Sequence, residues 1–432
     1  MKTELFEDLR SDHRQKDSQR RRDHLTFRGN VRQGRHGWLR LTPAYSLHVV
    51  REILEDCKAS DWVLDPFSGT GTTLLASTAH GVQGHSVDIN PFLVWFGNVK
   101  LTRFDSSAGD LLCDAAAALV STSRKCSPGV ENWVPPIHQI EKWWDAPVLE
   151  KLGRLFAQIR SREGESLSPA TDLLKIAFCR TLIETAHVSF GHQSMSFKKR
   201  PGVESPALFG ASELPELGHD VFGKFSAAVR EMAASLNQDQ PVAEGKVFFG
   251  DSRCLERALP QRCYTRVVTS PPYPNRMSYI RELRPYMYWL GYLADGRQAG
   301  DLDWQAIGGT WGCATSNLAK WDAGPEDAIP YARFGRIVAQ IRAEHDLLGR
   351  YVHKYFADIK THLASLHTVM ASGGRCWYVV GNSKFYDTLL PVEEIYAALF
   401  EDLGYVEVRI ERLRKRTSKK ELYEYIVGAT RR

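Results

Sequence analysis

The 432-residue chain has eight cysteines but no Cys-x-x-Cys pair, and no Cys/His group has zinc-ligand spacing. That argues against a metal centre or a disulfide framework; reduced, structural thiols in a cytoplasmic protein are expected. Long apolar runs are also missing, so no segment reads as a membrane span. The opening MKTELFEDLRSDHRQ lacks an apolar leader core, and a secretory signal is not expected. No internal repeat stands out, and no tract is strongly low in complexity. The lysine of GxxxxGK[ST] is absent as well, which excludes a P-loop.

What is present is an ordinary globular balance. Hydrophobic residues make up 43% and charged residues 25%, enough for one large or two moderate domains and against global disorder. The formal net charge is only +5, but the basic residues are grouped. One group is Arg20, Arg21, Arg22, Arg28, Arg32, Arg35 and Arg40. A second is Lys198, Lys199 and Arg200. A third is Arg412, Arg414, Lys415, Arg416, Lys419 and Lys420. Such groups suit a phosphate backbone, and they equally suit a solvated face. Residues 1–35 read as a basic N-terminal arm.

From His36 the pattern changes. HGWLRLTPAYSLHVVREILEDC reads as a short extended piece, a Thr-Pro turn and an amphipathic helix. A rhythm of strand, turn and helix follows. WVLD (62–65) and QGHSVD (83–88) are short buried strands, each followed by a helix. Residues 105–244 interrupt the rhythm with a mostly helical insertion, a possible target-recognition region. Strands return at KVFFGD (246–251), TRVVT (265–269) and RCWYVVGNS (375–383), the last entered through a Gly-Gly turn. YVEVRIERL and ELYEYIVGA alternate as an antiparallel hairpin would. The predicted fold is α/β: a Rossmann-like, doubly wound, seven-stranded sheet with a helical insertion. Its two parts, before and after the insertion, are 36–104 and 245–432.

Two loops carry the chemistry. Asp65-Pro66-Phe67-Ser68-Gly69-Thr70-Gly71-Thr72-Thr73 lies between a strand and a helix. Its glycines allow a sharp turn and close approach to a ligand at a helix start. Asp88, in the run Asp88-Ile89-Asn90, ends the second strand; it suits either two ribose hydroxyls or a helix N-cap. Asp251 and Ser252 end the third strand, where an acceptor for an adenine amino group or a plain turn would serve. The second loop, Thr269-Ser270-Pro271-Pro272-Tyr273, also follows a buried strand. Two prolines stiffen it and remove two donors, leaving a row of acceptors beside an aromatic face. A strand-capping Pro-Pro turn is the plainer alternative.

DPFSGTGTT together with TSPPY resembles the S-adenosylmethionine-dependent amino-methyltransferase family that acts on DNA adenine N6 or cytosine N4. The resemblance implies that Asp65 to Thr73 bind S-adenosylmethionine, that Asp88 holds the ribose and that Asp251 lies near the adenine. It makes Ser270, Pro271, Pro272 and Tyr273 the catalytic loop. The stretch LTPAYS resembles the segment that closes over the methionine end, so Thr42, Pro43 and Tyr45 join the expected cofactor contacts. Serine at position 270 is this family's leaning towards cytosine N4. A cytosine C5 enzyme would need a Pro-Cys nucleophile, and the chain has no such dipeptide.

The resemblance also implies DNA as partner, with a restriction endonuclease or another defence component as a possible companion. Arg276 and Arg281 are candidate DNA contacts, as are Lys198, Lys199 and Arg200. Tyr286, Tyr288, Trp289 and Tyr292 suit the core better than the gap left by an extruded base. GGTWGCATSNLAKW (308–321) reads as a loop beside the base pocket. An adenine-N6 enzyme, an RNA amino-methyltransferase and a non-catalytic binding subunit are the alternatives.

Overall fold

The computed structural model describes residues 25–41, 45–125, 133–162, 169–189, 196–197, 220–260, 263–310, 312–416 and 421–432. Seven strands form its main sheet: β1 (Trp62–Asp65), β2 (Gln83–Asp88), β3 (Gly245–Phe249), β4 (Tyr264–Thr269), β5 (Met370–Gly381), β6 (Tyr405–Lys415) and β7 (Tyr423–Arg431). Their spatial order is β6-β7-β5-β4-β1-β2-β3. The first five run parallel, β7 is antiparallel to β5, and β6 is antiparallel to β7. This is the Rossmann-like, doubly wound, seven-stranded sheet that the strand rhythm predicts. The chain leaves β1 towards β2 and β3, then returns to lay β4 on the other side of β1, so the switch point lies between β1 and β4.

A period of two sorts the strand residues between the two faces. Val63, Val268, Val379 and Ile426 pack towards α1 (Leu47–Leu54) and α2 (Thr72–Ala79). Their neighbours Leu64, Val267, Val380 and Val427 belong to a second cluster. After α3 (Pro91–Leu101) come α4 (Ala108–Arg124), α5 (Ala146–Ser161), α6 (Pro169–Thr185) and α7 (Val221–Ser235). Next are α8 (Tyr279–Trp289), α9 (Gly296–Gln305), α10 (Cys313–Lys320), α11 (Phe334–Glu344), α12 (Asp346–Val369) and α13 (Val392–Asp402). The second cluster takes in α11, α12 and α13.

A third cluster joins α3 to α4–α7 and α8, with Trp38, Trp144 and Trp289 inside it. Helices α4–α7 therefore share their core with α3, which follows β2, and with α8, which follows the TSPPY loop. Tyr286, Tyr288 and Trp289 are buried in that cluster and Tyr292 packs against it, as core residues.

Several local readings change. Residues 34–37 make one 3₁₀ turn instead of an extended piece. Gly373 and Gly374 lie inside β5, not in a turn before it. A Cβ on Gly374 would sit 2.8 Å from the Ala371 carbonyl and 3.0 Å from that of Tyr264, and the β4–β5 register shifts there. The glycines let β5 bulge against its neighbour. Within 308–321, residues 313–320 are helical, because Ala314 and Leu318 bury one face at i, i+4 spacing.

Candidate active site

The glycine turn leaves β1 and enters α2. Gly69 and Gly71 adopt φ of 51° and 70°, left-handed values that penalise a Cβ by about 1–2 kcal/mol. Gly71 stands at the N-cap of α2, and its N–H closes the turn on the Ser68 carbonyl at 2.7 Å. Around the turn, Pro66, Thr70, Thr72 and Thr73 are buried and Phe67 is half-buried against His362. Asp88 braces the turn from the end of β2. Its Oδ2 accepts the Gly69 N–H at 2.8 Å and its Oδ1 accepts the Asn90 N–H at 2.9 Å. The helix N-cap is Asn90 and not Asp88, since the Asn90 side chain accepts from Phe92 N–H. Burial raises the Asp88 carboxyl to about 6, with the backbone donors working against it. Asp88 and Ile89 remain half-exposed.

The TSPPY loop leaves β4, beside β1 in the sheet. Here the two loops touch. The Thr269 hydroxyl donates to Asp65 Oδ1 at 2.6 Å, and the Phe67 N–H reaches the same oxygen at 3.1 Å. Asp65 is fully buried, and its Oδ2 has no hydrogen-bond partner among the described residues. Burial pushes this carboxyl up to about 7; the Thr269 and Phe67 donors pull it back only in part. Tyr45 adds a second link. Its hydroxyl meets that of Thr73, and Thr73 donates to the Val268 carbonyl at 3.1 Å.

Two tyrosines on α12, one turn apart, hold the TSPPY loop from below. The Tyr355 hydroxyl donates to the Pro272 carbonyl at 2.7 Å, and the Tyr351 hydroxyl accepts the Arg276 N–H at 3.3 Å. Asn275 N–H occupies the Tyr273 carbonyl at 2.8 Å. Among the described residues none donates to the Pro271 carbonyl, and Ser270 beside it is half-exposed. Tyr273 is half-buried against the closing hairpin. Arg416 lies over its ring at 5.0 Å from the centroid, and Glu424, paired with Arg414 at 2.7 Å, is 3.5 Å from its hydroxyl. Burial, then Glu424, raises the Tyr273 phenol far above its ordinary range, so it stays protonated.

Other expected residues fare unevenly. Asp251 does follow β3, with Ser252 buried next to it, but Arg253 grips both carboxylate oxygens at 2.7–3.1 Å. Arg276 and Arg281 are exposed near the catalytic loop. Thr42, Pro43, Lys198, Lys199 and Arg200 lie outside the described residues, as do Arg20, Arg21, Arg22, Lys419 and Lys420. Arg35 overturns its place in a phosphate-binding group. It is completely buried, and its guanidinium donates to the carbonyls of Leu236, Lys100 and Thr102. Arg412, Arg414 and Arg416 are likewise engaged with Tyr423, Glu424 and Tyr273.

Lys100, Tyr351 and Tyr355 escape the sequence reading. Lys100 is buried on α3, and its ammonium donates to the Thr70 carbonyl at 2.7 Å, behind the glycine turn. Burial, then Arg35, lowers it to about 7. Its one sequence signal is a lysine four residues after Phe96, on the apolar face of its helix.

The residues at the switch point fit S-adenosylmethionine. Asp65 Oδ2 and the Ser68 hydroxyl are buried polar atoms without partners, and a Cβ at Gly71 would meet only the Gly97 Cα, at 3.6 Å. Both are open acceptors beside an α-helix start.

No family profile matches the chain. It is 21% identical over 435 aligned residues to the Type II methyltransferase M.BsoBI of Geobacillus stearothermophilus, covering 91% of this chain and 82% of that protein. A solved rRNA methyltransferase, aviRa from Streptomyces viridochromogenes, aligns over 90% of this chain and 86% of its own at 11% identity. Its TM-score is 0.28, too low for the superposition to carry an argument. The likeness along nine-tenths of the chain, with this sheet and this switch-point turn, supports an S-adenosylmethionine-dependent methyltransferase.

Proposed function

We propose that this chain is a site-specific DNA methyltransferase that moves a methyl group from S-adenosylmethionine to the N4 amino group of cytosine. The observation that carries the reading is the Thr269–Asp65 hydrogen bond, which brings the glycine turn and the TSPPY loop to one sheet edge. Ser at 270 favours cytosine, and the Type II relative favours DNA.

When bound, S-adenosylmethionine supplies an electrophilic methyl. Asp65 to Thr73 and Tyr45 would hold it, and the resemblance adds Thr42 and Pro43; Asp88, Ile89 and Asn90 would take the ribose, and Asp251 and Ser252 the adenine. The target base is extruded and stacks on Tyr273. The Ser270 hydroxyl and the Pro271 carbonyl accept hydrogen bonds from the two amino N–H groups, which draws the nitrogen lone pair out of conjugation with the ring. Tyr355 keeps the loop in place by occupying the next carbonyl. The loop thereby contributes orientation and fixed dipoles, with no covalent enzyme intermediate. The helical stretch 105–244 and the residues after the loop select the DNA site, and a restriction endonuclease or another defence component is a natural companion.

Nucleosides from DNA incubated with the protein and labelled cofactor test this directly. N4-methylcytosine is expected; N6-methyladenine would assign the adenine chemistry instead, and label only in RNA would refute the DNA substrate. Ser270→Ala should abolish transfer while calorimetric cofactor binding stays within about twofold. Full activity in that variant would refute the role given to the loop.

A further inference from the structure

We infer that the cleft beside the catalytic loop is a phosphate-anchored subsite for a nucleotide flanking the target base. The inference rests on the DNA reading above and assigns a ligand to a second cavity next to that site.

The cleft has a volume of about 320 Å³, within the range of small-ligand sites. Arg276 and Arg281 stand on one side and Thr310 and Thr315 bring hydroxyls. Leu347 and Leu348 give it an apolar floor. No carboxylate is among its lining residues. Both arginines are exposed, and neither has an ion-pair partner among the described residues. Nearby arginines are committed elsewhere. Arg350 and Arg342 bind Asp346, and Arg284 lies over Trp143 at 5.0 Å. The cleft thus gathers two guanidinium groups that have no carboxylate partner among the described residues.

Arg276 is also held in an unusual conformation. Its φ of 63° is left-handed, which side-chain-bearing residues other than Asn and Asp rarely adopt. Contacts on both sides maintain it: its N–H donates to the Tyr351 hydroxyl at 3.3 Å, and its carbonyl accepts from Thr310 at 3.4 Å. Strain of this kind persists where surrounding contacts over-determine it, as at ligand clamps.

The ligand class follows from the lining. Two guanidinium groups and no carboxylate select an anion, and planar guanidinium forks match phosphate oxygens. An apolar floor is wasted on a bare ion, but it suits the sugar or base of a nucleotide. Arg276 is three residues past Tyr273, a chain reach of at most about 11 Å. That equals about three steps of a strand with a 3.4 Å rise. A base stacked on Tyr273 therefore leaves a neighbouring phosphate within range of the pair.

The test is the salt dependence of binding to a fluorescein-labelled, mixed-sequence DNA duplex. It compares wild type with the double variants R276A/R281A and R276K/R281K. For one phosphate lost, the alanine pair should make the slope of log affinity against log salt shallower by about 0.9. Its KM for DNA should rise roughly tenfold. The lysine pair should restore the slope, because lysine serves phosphate as a point charge. Calorimetric binding of S-adenosylmethionine should be unchanged in both, which shows that they are folded. A wild-type slope and KM in the alanine pair, with DNA methylation intact in the wild type, would overturn this inference alone. Absence of DNA binding by the wild type at any salt would overturn it together with the DNA reading.

Discussion

Replacing Thr269 by valine removes one hydroxyl and leaves the side chain's shape almost unchanged. That hydroxyl is the 2.6 Å donor to Asp65 Oδ1, in a fully buried setting. The carboxyl is raised from 3.8 to about 7, first by burial. A group whose folded-state value is raised prefers its protonated form in the fold. Its contribution is favourable below pH 4 and is lost as pH climbs towards 7. A hydrogen bond to a charged acceptor contributes about 1.5–3 kcal/mol. Thr269→Val should therefore cost about 2 kcal/mol where Asp65 is ionised and about 1 kcal/mol where it is protonated, and the difference of about 1 kcal/mol is an upward shift of about 0.7 pH units in its titration. The added pH-dependent loss should then appear between about pH 7 and 8. At pH 5, where the folded state keeps the proton, the variant should lose about 1 kcal/mol or less. Urea unfolding of variant and wild type at pH 5 and pH 9 measures both values. Equal losses at the two pH values would refute the claim that an ionisable Asp65 is what Thr269 holds.

The other expectations concern parts that support the same two loops. Tyr355→Phe leaves the Pro272 carbonyl without its donor; kcat should fall roughly tenfold with cofactor affinity unchanged, as steady-state kinetics and calorimetry would show. Gly381→Ala would place a Cβ 2.9 Å from a Tyr273 ring carbon and 2.7 Å from Arg416 Nη1. Displacing the ring should lower kcat by up to about a hundredfold without unfolding the protein, as single-turnover methylation and circular dichroism would record. Lys100→Met removes the donor to the Thr70 carbonyl and should weaken cofactor binding about tenfold. Because burial lowers Lys100 from 10.5 to about 7, the unfolded chain holds its proton over that interval. Stability contributed by this group rises with pH between those values, and the variant should lose that rise in a series of denaturation curves.

Short-range signals carried much of the design. WVLD and QGHSVD read as strands because their residues are apolar and bounded by turns, and the glycines at 69 and 71 announce a turn that other residues resist. The stiff Pro-Pro loop could be picked out for the same reason: its backbone limits are written into residue type. Local pattern misjudged the glycines at 373 and 374, which serve a bulge against the backbone of Tyr264, a partner more than a hundred residues away. It also placed Arg35 among residues facing phosphate. Only the fold supplies the three carbonyls, from Leu236, Lys100 and Thr102, that bury it.

The sequence by itself determined the strand rhythm, the acceptor-rich loop and the glycine turn, since each depends on the conformational preferences of a few consecutive residues. Tertiary structure alone decided that Thr269 would meet Asp65, that α12 would prop the TSPPY loop through Tyr351 and Tyr355, and that Arg416 would cover Tyr273. Those contacts join residues up to 204 positions apart, and no local preference encodes which distant partner will complete a hydrogen bond once the sheet has closed.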